Sequence, residues 1–588
     1  MPAAPGRSAP FSRLARTFDE LERTSSSTAM IGILARFLPK LPSADVGYTA
    51  HLLSGSVGPS FSAPEFGMAG KMVARAVAQA CNVPAERVQR LAVQSGDLGD
   101  VAERLSSGRR SGLTIAAVFV SLTRIARVAG AGAQAAKRDQ LAALLRQTGA
   151  LEAKYVVRTV LGTHRVGAGE MTFLRALAKA FGDGESDLPT VEHAYNVLSD
   201  LGAVAARAAR SGVRSLKRVG PSPGVPIRMM LATRVEDLDE VGRRLPGELY
   251  AEYKYDGERL QVHKDKRGTL RAFSRRLEDI THQYPEVLEH LRRNLKARSA
   301  ILEGEVVAID PKRRRLLPFQ TLMQRKRKLQ IERYRREVPV ALFAFDLLYC
   351  NGKSLLAVPL ASRKQLLVRE LKADGVAAIG TYVCTAELGE VEEYFREAVA
   401  HGAEGIVIKG AASPYQPGRR GWNWIKYKKE YERDLADTFD VVVVGALWGK
   451  GARAGKYGSL LVAAFDPKTN RYASFTKVGA GFTDALLRAL PAKLKPHVIP
   501  RRHRLVDTGM EMDVWFEPAI VLEIAGADLT ISPVHAVARQ TLKTGGIALR
   551  FPRLVRLRED KDPAQATTAN EILRMYRQRL RLSRARRS

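Results

Sequence analysis

Between Phe11 and Arg218 apolar residues return every third or fourth position, as in Ile115-Ala116-Ala117-Val118-Phe119-Val120-Ser121-Leu122 and Leu174-Arg175-Ala176-Leu177-Ala178. That spacing predicts a succession of helices. Small turns break it at Gly130-Ala131-Gly132 and Gly167-Ala168-Gly169. The stretch Gly220-Pro221-Ser222-Pro223-Gly224-Val225-Pro226 then reads as a linker. From Ile227 to about Lys429 alternating runs predict strands mixed with short helices, an α+β pattern. Past Glu430-Tyr431-Glu432-Arg433-Asp434 the chain turns β-rich. Val441-Val442-Val443-Val444, Leu460-Leu461-Val462-Ala463-Ala464-Phe465 and Ala519-Ile520-Val521-Leu522-Glu523-Ile524 predict strands between glycine turns. Roughly five strands in about 130 residues fit a small barrel. The pattern therefore predicts a multidomain chain: an all-α domain over 1–218, an α+β domain over 219–431 and an all-β domain over 432–588.

Size agrees, since 588 residues exceed what one core supports. The formal net charge of +33 points to a polyanionic partner, either nucleic acid or an anionic membrane surface. No apolar run approaches about 18 residues, and Met1–Pro10 lacks the apolar core of a signal peptide, so no membrane span is expected. Cys81, Cys350 and Cys384 stand far apart, which excludes a four-cysteine zinc site and suits a reducing cytosol. His164, His401 and His535 have no paired ligands at metal spacing and read as structural.

Candidate chemistry centres on Lys254, in Glu252-Tyr253-Lys254-Tyr255-Asp256-Gly257-Glu258-Arg259. An ordinary lysine titrates about three units above neutral pH, so baring it as a nucleophile costs about 4 kcal/mol. Nearby cations or desolvation would lower that cost. Trp424-Ile425-Lys426-Tyr427-Lys428 offers cations: on a strand Lys426 and Lys428 share a face, able to act on Lys254 and to hold a triphosphate. Read alone, the segment serves equally as a solvated basic edge. Glu305, in Leu302-Glu303-Gly304-Glu305-Val306-Val307-Ala308, and Glu404, in Glu404-Gly405-Ile406-Val407-Ile408-Lys409, each precede an apolar run. Singly, such carboxylates are turn or cap residues more often than ligands. Together in so basic a region they suit Mg²⁺ bridging phosphate oxygens. Phe345 could stack on a base or simply fill a core.

The order of these segments resembles that of the ATP-dependent DNA ligases in their three-domain archaeal and eukaryotic replicative form. Glu252 to Gly257 is similar to the nucleophile motif. Phe273-Ser274-Arg275-Arg276, Glu303-Gly304-Glu305, Pro318-Phe319-Gln320 with Arg325-Lys326-Arg327-Lys328, Phe345-Asp346-Leu347, Glu404 to Lys409 and Trp424 to Lys428 follow in order. Arg550-Phe551-Pro552-Arg553 and Arg556-Leu557-Arg558-Glu559-Asp560-Lys561 resemble the last motifs. The likeness runs from about Phe11 to Tyr576.

The resemblance implies a helical DNA-binding domain, a nucleotidyltransferase (adenylation) domain and an OB-fold domain. It implies a ligase that uses ATP and Mg²⁺ to seal nicked double-stranded DNA, in replication, repair or recombination, through a lysyl-AMP at Lys254. Glu252 would meet the adenine edge and Phe345 would stack on the ring. Arg259 and Arg275 would contact ribose or phosphate, and Glu305 and Glu404 would serve metal and ribose. Lys409, Lys426 and Lys428 would neutralise growing phosphate charge. Arg558, Asp560 and Lys561 would reach the pyrophosphate when the barrel closes, with a hinge near Tyr431. Gly130, Gly132, Arg165 and Gly167 would touch phosphates across the minor groove without reading sequence, although alone such glycines are more often helix-ending turns. The expected enzyme is a cytoplasmic, nucleoid-associated prokaryotic monomer that encircles duplex DNA, with a sliding clamp as a candidate partner.

Three positions depart from the family's pattern. Glu303 stands where aspartate is common, Arg276 where asparagine is common, and Met229 where proline often precedes Met230-Leu231. RNA ligases and capping enzymes share the nucleophile motif but seldom carry a helical domain of about 200 residues ahead of it. The cysteines cannot build the zinc module of an NAD⁺-dependent ligase. A catalytically silent DNA-binding protein remains the alternative of a different class, its charge sufficient for non-specific binding.

Overall fold

The computed structural model describes residues 8–109, 111–164, 166–310, 315–326, 331–428, 438–449, 456–542 and 545–585. They belong to two units, Met1–Lys429 and Glu430–Ser588. In the first, twelve α-helices lie among the described residues from Phe11–Glu22 to Leu201–Ser211. Ser26, Asp97, Thr114 and Asp200 cap four of them, each side chain accepting from an amide three residues on. The helix Ile115–Arg127 buries Ile115, Val118, Leu122 and Ile125, the stripe that its sequence spacing sets.

An ionic cluster lies inside the helical layer. Arg158, 1% exposed, donates to Asp97 at 3.1 Å, Glu22 at 2.8 Å and Asp100 at 2.9 Å. Tyr155 donates to the same Glu22 at 3.0 Å. Each nitrogen of the guanidinium thus has a carboxylate partner, which a buried cation requires. His164 packs beside it, edge-on to Phe18 and 2.6 Å from the Thr159 hydroxyl. Burial, reinforced by Arg158, pushes its imidazole down to about 4. The unfolded chain then takes up a proton at higher pH than the folded one. Stability is complete above about pH 6.5 and falls as pH drops toward 4, by at most about 3 kcal/mol. Denaturant titrations at pH 7 and 4.5 should show His164→Gln losing less stability over that interval than the parent. Equal losses would remove His164 as a cause.

The α+β half of the first unit contains two sheets. One has the order Leu231–Val235, Arg420–Lys428, Gly405–Gly410, Leu249–Tyr253, Tyr382–Thr385. The other runs Leu270–Ser274, Glu258–Lys264, Ala300–Asp310, Val340–Cys350, Lys353–Ser354, with Arg315–Leu316 and Ala377–Ile379 added beside its longest strands. The predicted linker is laid against this sheet. Gly224 donates its amide to His263 Nδ1 at 3.0 Å, and Ile227 donates to Gln261 Oε1 at 2.7 Å while its carbonyl accepts from Gln261 Nε2 at 3.1 Å. Arg228 donates to Glu170 and to the Tyr195 hydroxyl, and Arg419 pairs with Glu192 at 3.4 Å. The helical core continues without a break into Ile227, Met230, Leu348, Leu356, Tyr415 and Trp424. Burying that seam keeps the two halves together.

In the second unit, Phe439–Trp448 pairs antiparallel with Tyr457–Asp466 and with Val521–Ala525. Arg471–Val478 and Arg553–Leu557 extend the sheet on either side. This β-rich unit also carries the helices Asp484–Leu494 and Ala569–Ala585. The second takes up most of the arginine-rich tail and buries Ile572 and Leu573 in the sheet's core. No helix of the described residues is long and apolar enough to cross a membrane.

Candidate active site

The strand Leu249–Tyr253 delivers Lys254 to the edge of its sheet, and two backbone bonds hold it there. The Lys254 amide donates to the Gly405 carbonyl at 2.8 Å, and the Glu404 amide donates to the Lys254 carbonyl at 2.9 Å. This reciprocal pairing sets the two side chains together: Lys254 Nζ lies 2.6 Å from Glu404 Oε2. Lys428 opposes Gly405 in the next strand, and its Nζ reaches the same oxygen at 2.7 Å. Burial raises the Glu404 carboxyl, but Lys254 and Lys428 overcome it and hold the group down at about 2. Glu404 thus stands between Lys254 and Lys428, where the sequence predicted cations acting on Lys254 directly. Lys426 is lowered by burial and by Lys428, Arg420, Lys254 and Arg275, which places these cations about one site. Arg275 is exposed on the turn after Leu270–Ser274.

The chain after Lys254 turns back at once. A Cβ on Gly257 would lie 2.2 Å from the Val306 carbonyl oxygen and 2.8 Å from Glu305 Cγ, so only glycine lets the strands close here. Asp256 accepts from the Phe319 amide at 3.2 Å, which docks Pro318-Phe319-Gln320 beside the nucleophile candidate. Arg325 is buried, donating to the Val338 carbonyl and pairing with Glu286 at 2.8 Å. Lys328 and Arg327 lie outside the described residues. The Glu305 carboxyl makes no hydrogen bond or ion pair among the described residues. Burial pushes its carboxyl up to about 7, with Lys254 and Arg259 opposing and Glu404 and Asp256 adding to the rise.

The predicted base pocket centres on Glu252, two residues before Lys254 along the same run of chain. Glu252 accepts from Lys409 Nζ through Oε2 and from Lys364 Nζ through Oε1, both at 2.6 Å. Lys409 is 1% exposed and sits over the rings of Phe345 at 4.5 Å and Trp424 at 4.2 Å. The sequence groups it with the phosphate-facing lysines, whereas here it is bonded to Glu252. Its ammonium points beneath the aromatic pair, where burial lowers it to about 8 against the pull of Glu252. Phe345 meets Trp424 edge-on at 5.9 Å. Arg259 lies over both rings and donates to the Met230 carbonyl at 2.6 Å and to Glu303 at 2.6 Å. Glu303 is fully buried and also accepts from Tyr415 and Gln261, both at 3.0 Å. The longer glutamate at this departure is therefore fully employed. Arg259 Nε and Trp424 Nε1 have no partner among the described residues, two buried donors left over in one pocket.

Lys364, Tyr415 and Gln261 were not singled out from sequence. Lys364 did leave a signal: Leu360, Arg363, Lys364 and Leu367 occupy one helical stripe, putting two cations on a core-facing side. Tyr415, on a loop, left none.

The last motif lies in the second unit. There Arg558 donates to Asp440 at 2.9 Å and to Asp560 at 2.8 Å, and Lys561 reaches Asp440 at 2.6 Å. The expected DNA contacts Gly130, Gly132 and Gly167 are exposed, at φ of +90°, +78° and +72°. That left-handed backbone favours glycine whatever else the turns do. At Gly167 a Cβ would also meet Met30 Cε at 2.8 Å. Arg165 lies outside the described residues. Among the described residues no three His, Cys, Asp or Glu side chains form a metal-ligand group.

Three family models match the chain: DNA ligase N terminus over residues 10–178, ATP dependent DNA ligase domain over 229–428 and ATP dependent DNA ligase C terminal region over 453–561. A DNA ligase of Aeropyrum pernix is 44% identical over 593 residues, covering 97% of this chain and 98% of that protein. A DNA ligase of Hyperthermus butylicus is 42% identical over 597 residues, covering 98% of each. Among solved structures, Pmar-Lig_PreS3 shares the fold at a TM-score of 0.53 and 17% identity, over 93% of this chain and 99% of that one. With its three segments matched in order and relatives alike from end to end, the chain belongs to the ATP-dependent DNA ligases.

Proposed function

We propose that this ligase seals nicks in duplex DNA with Lys254 as nucleophile. Lys254 Nζ attacks the α-phosphorus of ATP, forming a P–N bond as pyrophosphate leaves. AMP then passes to the 5′-phosphate at the nick, and the 3′-hydroxyl displaces it. The observation that most supports this reading is the reciprocal backbone pairing of Lys254 with Glu404 and Gly405, which brings the lysine, a carboxylate and Lys428 to one point. Lys426, Lys428 and Arg275 are the cations for phosphate charge, the quantity on which phosphoryl transfer depends most. Phe345 and Glu252 serve the base, and Arg259 the ribose.

Glu305, a half-buried carboxyl with no cation within hydrogen-bonding reach, and Glu404 beside it are a donor pair that fits Mg²⁺, with substrate phosphates completing the set. The ion would supply Lewis-acid neutralisation of phosphate oxygens. Residues 1–218 act as the DNA-gripping domain, with the exposed turns at Gly130, Gly132 and Gly167 against phosphates. Residues 219–431 form the adenylation domain and 432–588 the OB-fold domain, whose Arg558, Asp560 and Lys561 serve the first step. A single chain encircles the duplex.

Incubation with α-labelled ATP, GTP or NAD⁺, followed by denaturing electrophoresis, separates the readings. ATP should label the chain, and ATP with Mg²⁺ should seal a nicked DNA duplex. Labelling by NAD⁺ alone would overturn the proposal.

A further inference from the structure

Lys364 lies 1% exposed in the helix Leu360–Glu370, behind the base pocket and outside the motifs that carry the resemblance. A lysine so deeply placed needs partners for its charge. It has two, and both belong to the pocket. Its Nζ donates to Glu252 Oε1 at 2.6 Å and to the Phe345 backbone carbonyl at 2.7 Å, while the Tyr382 ring closes its outer side at 5.1 Å. The ammonium thus ties the carboxylate at one wall to the backbone of the aromatic at another. Its neighbour Arg363 is spent elsewhere, on Asp346 at 2.7 Å.

Lys409 takes the other oxygen of Glu252. A carboxylate that accepts from one ammonium on each oxygen is held in place and turns lone pairs to the pocket. Adenine presents an amino donor at C6. A 6-oxo purine presents an acceptor there, which such a carboxylate repels.

We infer that Lys364 is a positioning residue for nucleotide selection: with Lys409 it fixes Glu252 as an acceptor-only edge that admits adenine and rejects 6-oxo purines. This rests on the reading that Glu252 meets the base edge. Losing Lys364 frees one carboxylate oxygen and the Phe345 carbonyl together, so the pocket keeps its shape less well and its sign of discrimination weakens.

The test uses the full chain and its covalent labelling by ATP and by inosine triphosphate. Lys364→Met should raise the KM for ATP and cut the ATP-to-inosine-triphosphate preference, each by about tenfold, with the maximal labelling rate changed less. Lys364→Arg should restore the preference. Glu252→Gln, which offers an amino donor, should shift the preference toward inosine triphosphate. A Lys364→Met enzyme that keeps the parental preference while Glu252→Gln loses it would overturn the role of Lys364 alone. So would an equal fall in maximal rate with both nucleotides. Parental preference in Glu252→Gln would overturn the base-edge reading itself. Should Lys364→Met fail to fold, Lys364→Gln makes the same comparison.

Discussion

Lys254→Ala will bind nicked duplex DNA like the parent and take no covalent label from ATP, a loss of adenylation of at least about 10⁴-fold. Among the described residues, Lys409 and Lys428 are both held by other partners. Lys409 is buried against Glu252 beneath Phe345 and Trp424. Lys428 reaches the same Glu404 oxygen as Lys254, but from the neighbouring strand, fixed by the pairing of Gly405 with Lys428. The backbone pairing at Lys254 is retained by alanine, because its amide and carbonyl bonds to Gly405 and Glu404 involve no side chain. Folding and DNA affinity should therefore survive. A nick supplied already adenylated should still be sealed, since the 3′-hydroxyl displaces AMP without a lysine bond. ATP-dependent labelling of Lys254→Ala at another residue would refute the assignment.

Glu404→Gln should slow adenylation by about 10²- to 10³-fold while leaving the fold intact. One carboxylate oxygen neutralises both Lys254 and Lys428, and the burial around it makes that charge expensive to lose. The isosteric amide keeps the shape and leaves two ammonium groups facing each other. Their geometry then opens, and with it the aim of Lys254 at phosphorus. Glu404→Asp, with the charge retained on a shorter arm, should fall between parent and Gln. Single-turnover labelling rates measure the series. A Glu404→Gln rate within about twofold of the parent would show that the shared oxygen is incidental.

Much of this site could be read from the chain because its parts lie on short strands with clear order. Lys254, Glu404 and Lys428 each sit at or beside a strand end, and neighbouring strands bring those ends together. Direction was harder. Strand alternation assigns Lys409 to a face but does not reveal that Glu252 waits there to draw its ammonium under two rings. Glu303 and Glu305 share a face as well, yet only Glu303 receives Arg259, because Gln261 and Tyr415 complete its shell. Tyr415 comes from a loop, where no period announces a role. Met230 shows no pattern for its role either: its amide donates to the Tyr415 hydroxyl at 2.8 Å, its carbonyl accepts from Arg259 and its sulfur accepts from the Gln416 amide. The helical half was legible throughout, since three- and four-residue spacing is the whole signal of an amphipathic helix.

The unbroken apolar seam between the helices and the adenylation residues bears on how these enzymes can be recombined. Tyr415 and Trp424 belong at once to the helical core and to the wall of the base pocket. A chimera that joined this chain's helices to a relative's catalytic half would mismatch Ile227, Met230 and Leu356 against foreign side chains, and the strain would arrive at Trp424. Exchange of the DNA-gripping half is therefore also a mutation of the nucleotide pocket, and a workable graft has to carry both faces of the seam.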